Sequence, residues 1–134
     1  MSTRANVVIK DGFGELIFYR HSDGYPECTG EDLKKFVLDY SPNGHLRPDA
    51  MQSSGWLIIR GYLDKNYQNR DGGYAWKVGA YEPTPHLHGD AEYVYVIDLD
   101  ERSLEAFEPI GRQYWDSPKH ENLKLSKQFK RVRF

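Results

Sequence analysis

Two runs near the N-terminus, at residues 6 to 10 and 15 to 20, are rich in β-branched and aromatic residues. Residues of these types favour strands. The turn-forming sequence DGFG separates the two runs, so the pattern predicts a β-hairpin. Because side chains alternate along a strand, the second strand presents Tyr19 and His21 on one face and Arg20 on the other.

A helix is predicted after this hairpin. Apolar residues recur at helical spacing over residues 33 to 40. Thr29 and Asp32 precede them with the spacing of a capping box, in which two side chains satisfy backbone N–H groups at a helix start. We therefore expect an amphipathic helix that ends near the sequence SPNG.

Residues 50 to 65 are compatible with a helix or a strand. The run WLII is typical of a strand, but strict alternation is missing and Pro48 suits a first helical turn. We prefer a helix in which small residues face a neighbouring element. The expected helical stripe comprises Met51, Gly55, Ile58 and Tyr62. The small residues are Ser54, Gly55 and Gly61.

Three more strand-like runs follow, at residues 74 to 82, 92 to 100 and 104 to 110. The sequence PTPHLHGDA separates the first two, and it is too rigid and too polar to continue either strand. A turn at DERS separates the last two, which suggests an antiparallel meander. The order of elements predicts an α+β fold, with an antiparallel sheet of the N-terminal hairpin plus a later three-strand meander, and two helices on one face.

The chain has 134 residues, a length that favours a single domain. Six Lys or Arg residues and one Glu lie in residues 119 to 134, while the net charge of the chain is -2. We therefore expect a single α+β domain at residues 1 to 118, followed by a basic C-terminal segment that is either docked or flexible. Because the body is mildly acidic, we consider nucleic acid an unlikely partner.

Cysteine content and hydropathy indicate the cellular compartment. Cys28 is the only cysteine, which excludes an internal disulfide and a Cys-rich zinc site within one chain. No run of about 18 apolar residues is present, and the N-terminus lacks an apolar stretch of signal-peptide length. We therefore expect a cytoplasmic protein without a membrane partner.

Ligand-capable side chains concentrate in two loops that each follow a strand: RHSDGYPE and EPTPHLHGDAE. If the two strands are neighbours with matching ends, the loops face each other across one rim. A tight turn that needs internal hydrogen bonds from Arg20 and Asp23 explains the first loop equally well. The candidate ligand-binding residues are Arg20, His21, Asp23, Tyr25, Trp76, Tyr81, Glu82, His86, His88 and Asp90.

The histidines raise the question of a metal. His86 and His88, with His21 and a carboxylate from Asp23 or Asp90, are ligand types that suit zinc or manganese. However, prolines interrupt the strand at this point, and a pair of histidines two residues apart is common by chance. We therefore predict neither a metal nor a cofactor.

Acid–base catalysis and simple binding use overlapping residues. A histidine such as His21 or His88, oriented by a carboxylate, can transfer protons near neutral pH. Cys28 lies before the predicted helix, but we expect an ordinary, partly buried cysteine and assign no catalytic residue. Binding requires no catalytic geometry: Arg20 can meet a phosphate or carboxylate, and Trp76 offers a stacking face.

Three blocks carry a resemblance to a known family: YRHSDGYPE, SSGWLIIRGY and WKVGAYEPTPHLHGDAEYVYVID. They resemble small proteins of bacteriophages, prophages and mobile elements that carry a Y-R-H-x-D-G-Y-P signature. The resemblance implies a genomic setting and a bacterial host cell, and it assigns no catalytic residues. Small accessory proteins of this kind often block host defence.

The resemblance therefore implies a non-catalytic accessory protein that counters host defence, in the manner of an anti-CRISPR inhibitor. It would bind a host effector protein or sequester a nucleotide-like ligand. Association into a homo-oligomer is compatible with either role. The alternative is a small hydrolase or nucleotide-modifying enzyme that uses His and Asp acid–base chemistry with or without a metal.

Overall fold

The computed structural model describes residues 3–63, 80–110 and 122–134. They form a seven-stranded sheet and two helices. The strands are β1 (Ala5–Lys10), β2 (Glu15–Arg20), β3 (Glu82–Thr84), β4 (Tyr93–Asp98), β5 (Ser103–Pro109), β6 (Leu123–Leu125) and β7 (Val132–Arg133). The helices are α1 (Glu31–Tyr40) and α2 (Ala50–Tyr62); a π-helical turn at Pro26–Gly30 precedes α1 and a 3-10 turn at Ser41–Asn43 follows it.

The sheet has the strand order β3-β2-β1-β4-β5-β6, and β7 also pairs with β5. The predicted N-terminal hairpin is confirmed, since β1 and β2 are antiparallel with Lys10 opposite Glu15. The predicted pairing of the two later strands is also confirmed, since β4 and β5 are antiparallel with Asp98 opposite Ser103. The chain is therefore α+β, as predicted.

The prediction of a purely antiparallel sheet with a separate meander is wrong. β1 lies between β2 and β4 and is parallel to β4, with Ala5 opposite Tyr93. β3 contains the described end of the run predicted at residues 74 to 82, and it pairs with β2 on the far side of β1. The chain between β1 and β4 contains β2, both helices and β3, and it provides the long connection that parallel strands need. Residues 74 to 79 lie outside the described part of the chain.

Pro83 lies within β3, although the sequence suggested that this region is too rigid for a strand. The reason is that β3 is an edge strand, where the missing N–H of proline costs no ladder hydrogen bond. Pro85 follows directly after β3, at the point where the strand ends.

Both helices pack on the same face of the sheet, as predicted. Their apolar side chains form the main core with inward-facing residues of β1, β2, β4 and β5. A smaller cluster of Val8, Leu87 and Val94 lies on the opposite face, which we call the open face. Representative residues of the main core are Val7, Ile9, Phe18, Leu33, Phe36, Val37, Leu57, Tyr95, Ile97 and Leu104.

The amphipathic helix α1 is confirmed, and its apolar stripe is buried. The predicted capping box is wrong. The hydroxyl of Thr29 instead donates to the backbone oxygen of Asp23 at 2.6 Å, and the carboxylate of Asp32 accepts from Arg60 at 2.9 Å. The π-helical turn explains the difference, because it places Thr29 before the helix in a turn of its own.

The helix prediction for residues 50 to 65 is confirmed by α2, and two of the small residues that were expected to face a neighbour, Ser54 and Gly61, are buried. The third small residue, Gly55, is exposed, as are Met51 and Tyr62 of the expected stripe. A Cβ atom on Gly61 would lie 2.9 Å from the Tyr81 ring, so helix and chain pack closely here. The buried residues of α2 are Ala50, Ser53, Ser54, Leu57 and Gly61.

The C-terminal residues 122–134 run along the outer edge of β5. β6 lies opposite Phe107 to Pro109, and β7 lies opposite Ser103 and Leu104. Within the described ranges, neither helix has the length and apolar character needed to cross a membrane.

Candidate functional site

Most of the predicted site residues that the structure describes lie around the ends of β2 and β3, where strand alternation divides them between the two faces of the sheet. Tyr19 is the cross-strand partner of Glu82 on the open face. The neighbouring residues, Arg20 after Tyr19 and Tyr81 before Glu82, come together on the helix-covered face, with 3.0 Å between Arg20 Nη1 and the Tyr81 hydroxyl. The side chains that were predicted to line one rim therefore belong to two separate sites.

The first site is the buried network, formed by Arg20, Asp32, Arg60 and Tyr81. Arg20 is 4 % exposed, and its Nε donates to the backbone oxygen of Ser22 at 3.0 Å. Its Nη1 lies 3.8 Å from Asp32 Oδ2. The guanidinium therefore fixes the turn after β2 from inside the protein, which is the structural interpretation of this loop.

Asp32 of α1 connects the other members of the buried network. The Tyr81 hydroxyl donates to Asp32 Oδ2 at 2.5 Å, and Arg60 of α2 donates to Oδ1 at 2.9 Å. Burial, followed by the charge of Asp32, raises the pKa of Tyr81 well above its ordinary value. The hydroxyl therefore stays protonated and keeps donating, so the network joins α1, α2 and β2.

The second site is the histidine edge, formed on the open face by Tyr19, His21, Glu82, Thr84, His86, His88 and Asp90. Tyr19 lies at its centre. The Tyr19 hydroxyl contacts both carboxylate oxygens of Asp90, at 3.0 and 2.9 Å. The His88 ring stacks on the Tyr19 ring at a centroid distance of 4.0 Å, and the His21 ring meets it edge-on at 4.6 Å.

Polar pairs surround this aromatic centre. His21 Nε2 lies 2.6 Å from Glu82 Oε2, and the two side chains are 48 % and 52 % exposed. His88 Nε2 lies 2.7 Å from the Thr84 hydroxyl oxygen. The edge therefore combines a half-exposed imidazole–carboxylate pair with a second imidazole that is fixed by stacking and a hydrogen bond.

The charge of the edge depends on pH. Partial burial is the main cause that lowers the pKa of His88 below its ordinary value of 6.5, and the neighbouring His86 and His21 act in the same direction. The carboxylate of Asp90 opposes this shift. His88 is therefore neutral at pH 7. Asp90 also lies 3.4 Å from the guanidinium of Arg4, which joins the N-terminal residues to the edge.

The remaining predicted residues have different roles. Asp23 adopts a positive φ of 59°, and its backbone oxygen accepts from Thr29, so it shapes the turn. Tyr25 is 41 % exposed, and its backbone oxygen accepts from the N–H groups of Cys28, Thr29 and Gly30 in the π-helical turn. Trp76 lies outside the described residues. Cys28, which was expected to be partly buried, is exposed in the same turn.

The described histidines are not arranged as a metal centre. Across residues 3–63, 80–110 and 122–134, no group of three or more His, Cys, Asp or Glu side chains is arranged to hold a metal ion. His86 and His88 have a ring centroid distance of 5.5 Å, and His21 is paired with Glu82. Side chains of the types that bind metals are therefore present, but here His21 pairs with Glu82 and His88 stacks on Tyr19.

Sequence reasoning missed three residues in and beside the histidine edge. Tyr19 shares a strand face with His21, so alternation was a sufficient signal for it. Thr84 and Arg4 carried no comparable signal, because their positions depend on the pairing of β3 with β2 and on the path of the N-terminus. Comparison with protein-family models, with curated proteins and with solved structures found no match.

Proposed function

We propose that this protein is a non-catalytic binding protein that captures a protein partner through the histidine edge. The half-exposed pair of His21 and Glu82, supported by the buried ring of Tyr19, carries the proposal. Polar and aromatic groups held in fixed rotamers bind with little loss of side-chain entropy. In the phage or mobile-element setting that the resemblance implies, the partner is a host defence protein.

A protein partner fits the edge better than a nucleotide. The guanidinium that was expected to meet a phosphate, that of Arg20, is buried in the other site and paired with Asp32. The carboxylates of Glu82 and Asp90 lie at the edge and repel phosphate groups. Mixed imidazole, carboxylate and aromatic groups are ordinary components of protein interfaces.

Affinity capture from host lysate tests this proposal. Immobilised protein is compared with the double variant His21→Ala/Glu82→Ala, and captured proteins are identified by mass spectrometry. The matched control is Glu105→Ala/Arg131→Ala, which removes another partly exposed pair, with 3.6 Å between its charged atoms. We expect one or more specific host proteins on the original chain and the control, and their loss from the double variant. Equal capture by all three would exclude the histidine edge.

A thermal-shift screen separates a small ligand from a protein partner. A nucleotide present at about 100 times its dissociation constant adds roughly 2.7 kcal/mol of stability. A shift with mononucleotides or cyclic oligonucleotides that disappears in His21→Ala would replace the protein partner with a nucleotide-like ligand. We expect no such shift.

Acid–base catalysis is a second candidate, and one observation favours it. His88 is neutral at pH 7 and its Nε2 lies 2.7 Å from the hydroxyl of Thr84, so it is placed to accept a proton. Incubation with a nucleotide panel at stoichiometric protein, with and without zinc or manganese, tests this candidate by mass spectrometry. Turnover that is lost in both His88→Gln and Thr84→Val would support it, and an unchanged panel would contradict it.

A further inference from the structure

The outward side of α2 differs from that of α1. The exposed residues of α1 are mostly charged, as is usual for a surface helix, and they include Lys34, Lys35 and Asp39. The exposed residues of α2 carry no charge, and Met51 and Tyr62 among them are 78 % and 62 % exposed. A contiguous exposed apolar patch marks a surface that contacts another molecule.

Part of this apolar side lines an open groove. The groove lies between α2 and the edge of the sheet formed by β2 and β3, and its volume is about 450 Å³. A Cβ atom on Gly55 would have no neighbour within 4 Å, so this glycine leaves open space beside the helix. The walls of the groove include Met51, Gly55 and Ile58 from α2 and Leu16, Pro83 and Pro85 from the side of the sheet.

The lining of the groove selects an uncharged occupant. No described residue that lines it carries a charge. Its two hydroxyl groups have partners within the protein, since Ser54 donates to the backbone oxygen of Ala50 at 2.6 Å and the Thr84 hydroxyl lies 2.7 Å from His88 Nε2. A charged group would therefore lose its hydration here without gaining a partner. An aliphatic or aromatic side chain loses only its contact with water, which is favourable.

The groove is continuous with the histidine edge. Thr84 lines the groove and also belongs to the edge, and Pro83, another lining residue, lies between Glu82 and Thr84 in β3. Glu82 and Thr84 are about 7 Å apart along the strand. A specific protein interface covers about 800 Å² on each partner, which is a patch roughly 30 Å across. A partner centred on His21 and Glu82 therefore also reaches the groove.

We propose that the protein partner of the histidine edge inserts a leucine or phenylalanine side chain into this groove. The inference rests on the proposed function, because one partner contacts both surfaces. This division follows the usual anatomy of an interface, in which an apolar anchor fills a pocket and polar groups such as His21 and Glu82 lie around it. The partner is thus a protein that exposes an apolar anchor beside polar side chains.

An NMR titration of the methyl groups of the full chain tests the groove without the partner. The probe is N-acetyl-leucinamide, and N-acetyl-lysinamide is its charged comparison. We expect saturable shifts of the Met51 and Ile58 methyl signals with the leucine probe, with a dissociation constant on the order of a few millimolar. The lysine probe should cause none. Equal shifts with both probes, or no saturable shift with the leucine probe, would overturn the proposal.

Substitutions in the groove locate the probe. Gly55→Phe places a ring in the open space beside α2, so we expect the affinity for the leucine probe to fall by more than about tenfold. Met51→Glu adds a charge at an exposed position and should also weaken binding. The control Leu38→Phe, on the exposed side of α1, should bind the probe like the original chain. Thermal unfolding shows whether each variant folds. Unchanged binding in both groove variants would exclude the groove.

Capture from host lysate links the groove to the partner. We expect the host protein to be lost from both Gly55→Phe and His21→Ala/Glu82→Ala, and to be retained by Leu38→Phe. Retention by Gly55→Phe with loss from the histidine-edge variant would overturn this inference and leave the proposed function intact. Loss from Gly55→Phe alone would overturn the proposed function, because the histidine edge would then play no part. Absence of any captured host protein would contradict both.

Light scattering examines a second copy of the chain as the occupant. At the concentrations of the titration we expect the chain mass of 15.6 kDa for the original chain and for Gly55→Phe. A mass of two chains that returns to one chain in Gly55→Phe would assign the groove to a second copy. That result would overturn insertion by a host protein.

Discussion

Two sites at the end of β2 differ in what their polar side chains do. The buried network uses Arg20, Asp32 and Tyr81 to join the helices to the sheet, and Arg20 is almost completely removed from solvent. The histidine edge begins one residue away along the chain, and its pair of His21 and Glu82 is half exposed. Adjacent residues therefore serve stability in one site and surface chemistry in the other.

This difference has a physical origin in strand alternation. Side chains of consecutive strand residues point to opposite faces, and the two helices of the described residues cover one face of this sheet. A charged residue on the covered face must be paired, because burial of an unpaired charge is costly. On the open face the same kind of residue stays accessible. Stability measurements on the two sites should therefore give very different results.

The largest effect is expected from Asp32→Ala. It leaves the buried guanidinium of Arg20 without its carboxylate partner, which costs about 3–5 kcal/mol of unfolding free energy for a buried ion pair. Urea unfolding measures the change. In the double variant Arg20→Met/Asp32→Ala the loss should be smaller than the sum of the single losses. A loss below about 1 kcal/mol for Asp32→Ala would mean that the network contributes no more than an exposed pair.

A smaller effect is expected from Gly61→Ala, which tests how tightly α2 packs against the buried network. The new methyl group would meet the Tyr81 ring at 2.9 Å and its backbone nitrogen at 3.1 Å. Overpacking of this kind costs about 1–3 kcal/mol.

Gly55→Ala in the same helix is the matched control, because nothing lies within 4 Å of the new atom. It should stabilise the protein by about 0.4–1 kcal/mol, since alanine is a better helix former and restricts the unfolded chain. Thermal unfolding of both variants measures the contrast. Equal effects of the two substitutions would show that Tyr81 moves away freely.

At the histidine edge we expect a pH-dependent effect of His88. Its pKa in the folded protein is lowered from 6.5, so the unfolded chain takes up a proton first as the pH falls. Folding stability therefore decreases as the pH falls below 6.5, until the pKa of the folded state has been passed. Urea midpoints from about pH 8 to about pH 5 should fall less steeply in His88→Gln than in the original chain. Identical slopes would contradict the assigned environment of His88.

The smallest effect on stability is expected from His21→Ala/Glu82→Ala. Both side chains are about half exposed, and exposed ion pairs contribute about 0–1 kcal/mol to the free energy of unfolding. The double variant should therefore unfold close to the original chain while it loses its partner in the capture experiment. If its stability falls as far as that of Asp32→Ala, the histidine edge is a structural site and the comparison of the two sites no longer holds.

The sequence predicted local structure better than long-range arrangement. The N-terminal hairpin and both helices followed from alternation, turn residues and helical spacing, which are local signals. The pairing of β1 with β4 has no local signal, because it joins residues far apart in the chain. The buried face of α2 was predicted in part, since Ser54 and Gly61 were expected to face a neighbouring element, whereas Leu57 was not assigned to that face.

The same limits explain the outcome for the candidate site. Glu82 and His21 were both proposed from sequence, and the structure brings them together across β2 and β3. Arg20 and Tyr81 were proposed with them, but alternation places both on the covered face. Tyr19 could have been included by the same rule. Asp32 and Arg60 join Arg20 only through the packing of α1 and α2, which no single segment encodes.

The central position of β1 has a consequence for the synthesis of this protein. β1 leaves the ribosome well before its parallel partner, which begins at Tyr93, roughly 90 residues later, or about 4–18 s at ordinary rates of translation. During this interval β1 can pair with β2 but not with β4. The side chains of Val7 and Val8, which are fully buried in the finished fold, therefore lack part of the sheet that buries them. The nascent chain therefore exposes apolar side chains and an unpaired strand edge, features that favour aggregation, until β4 is made.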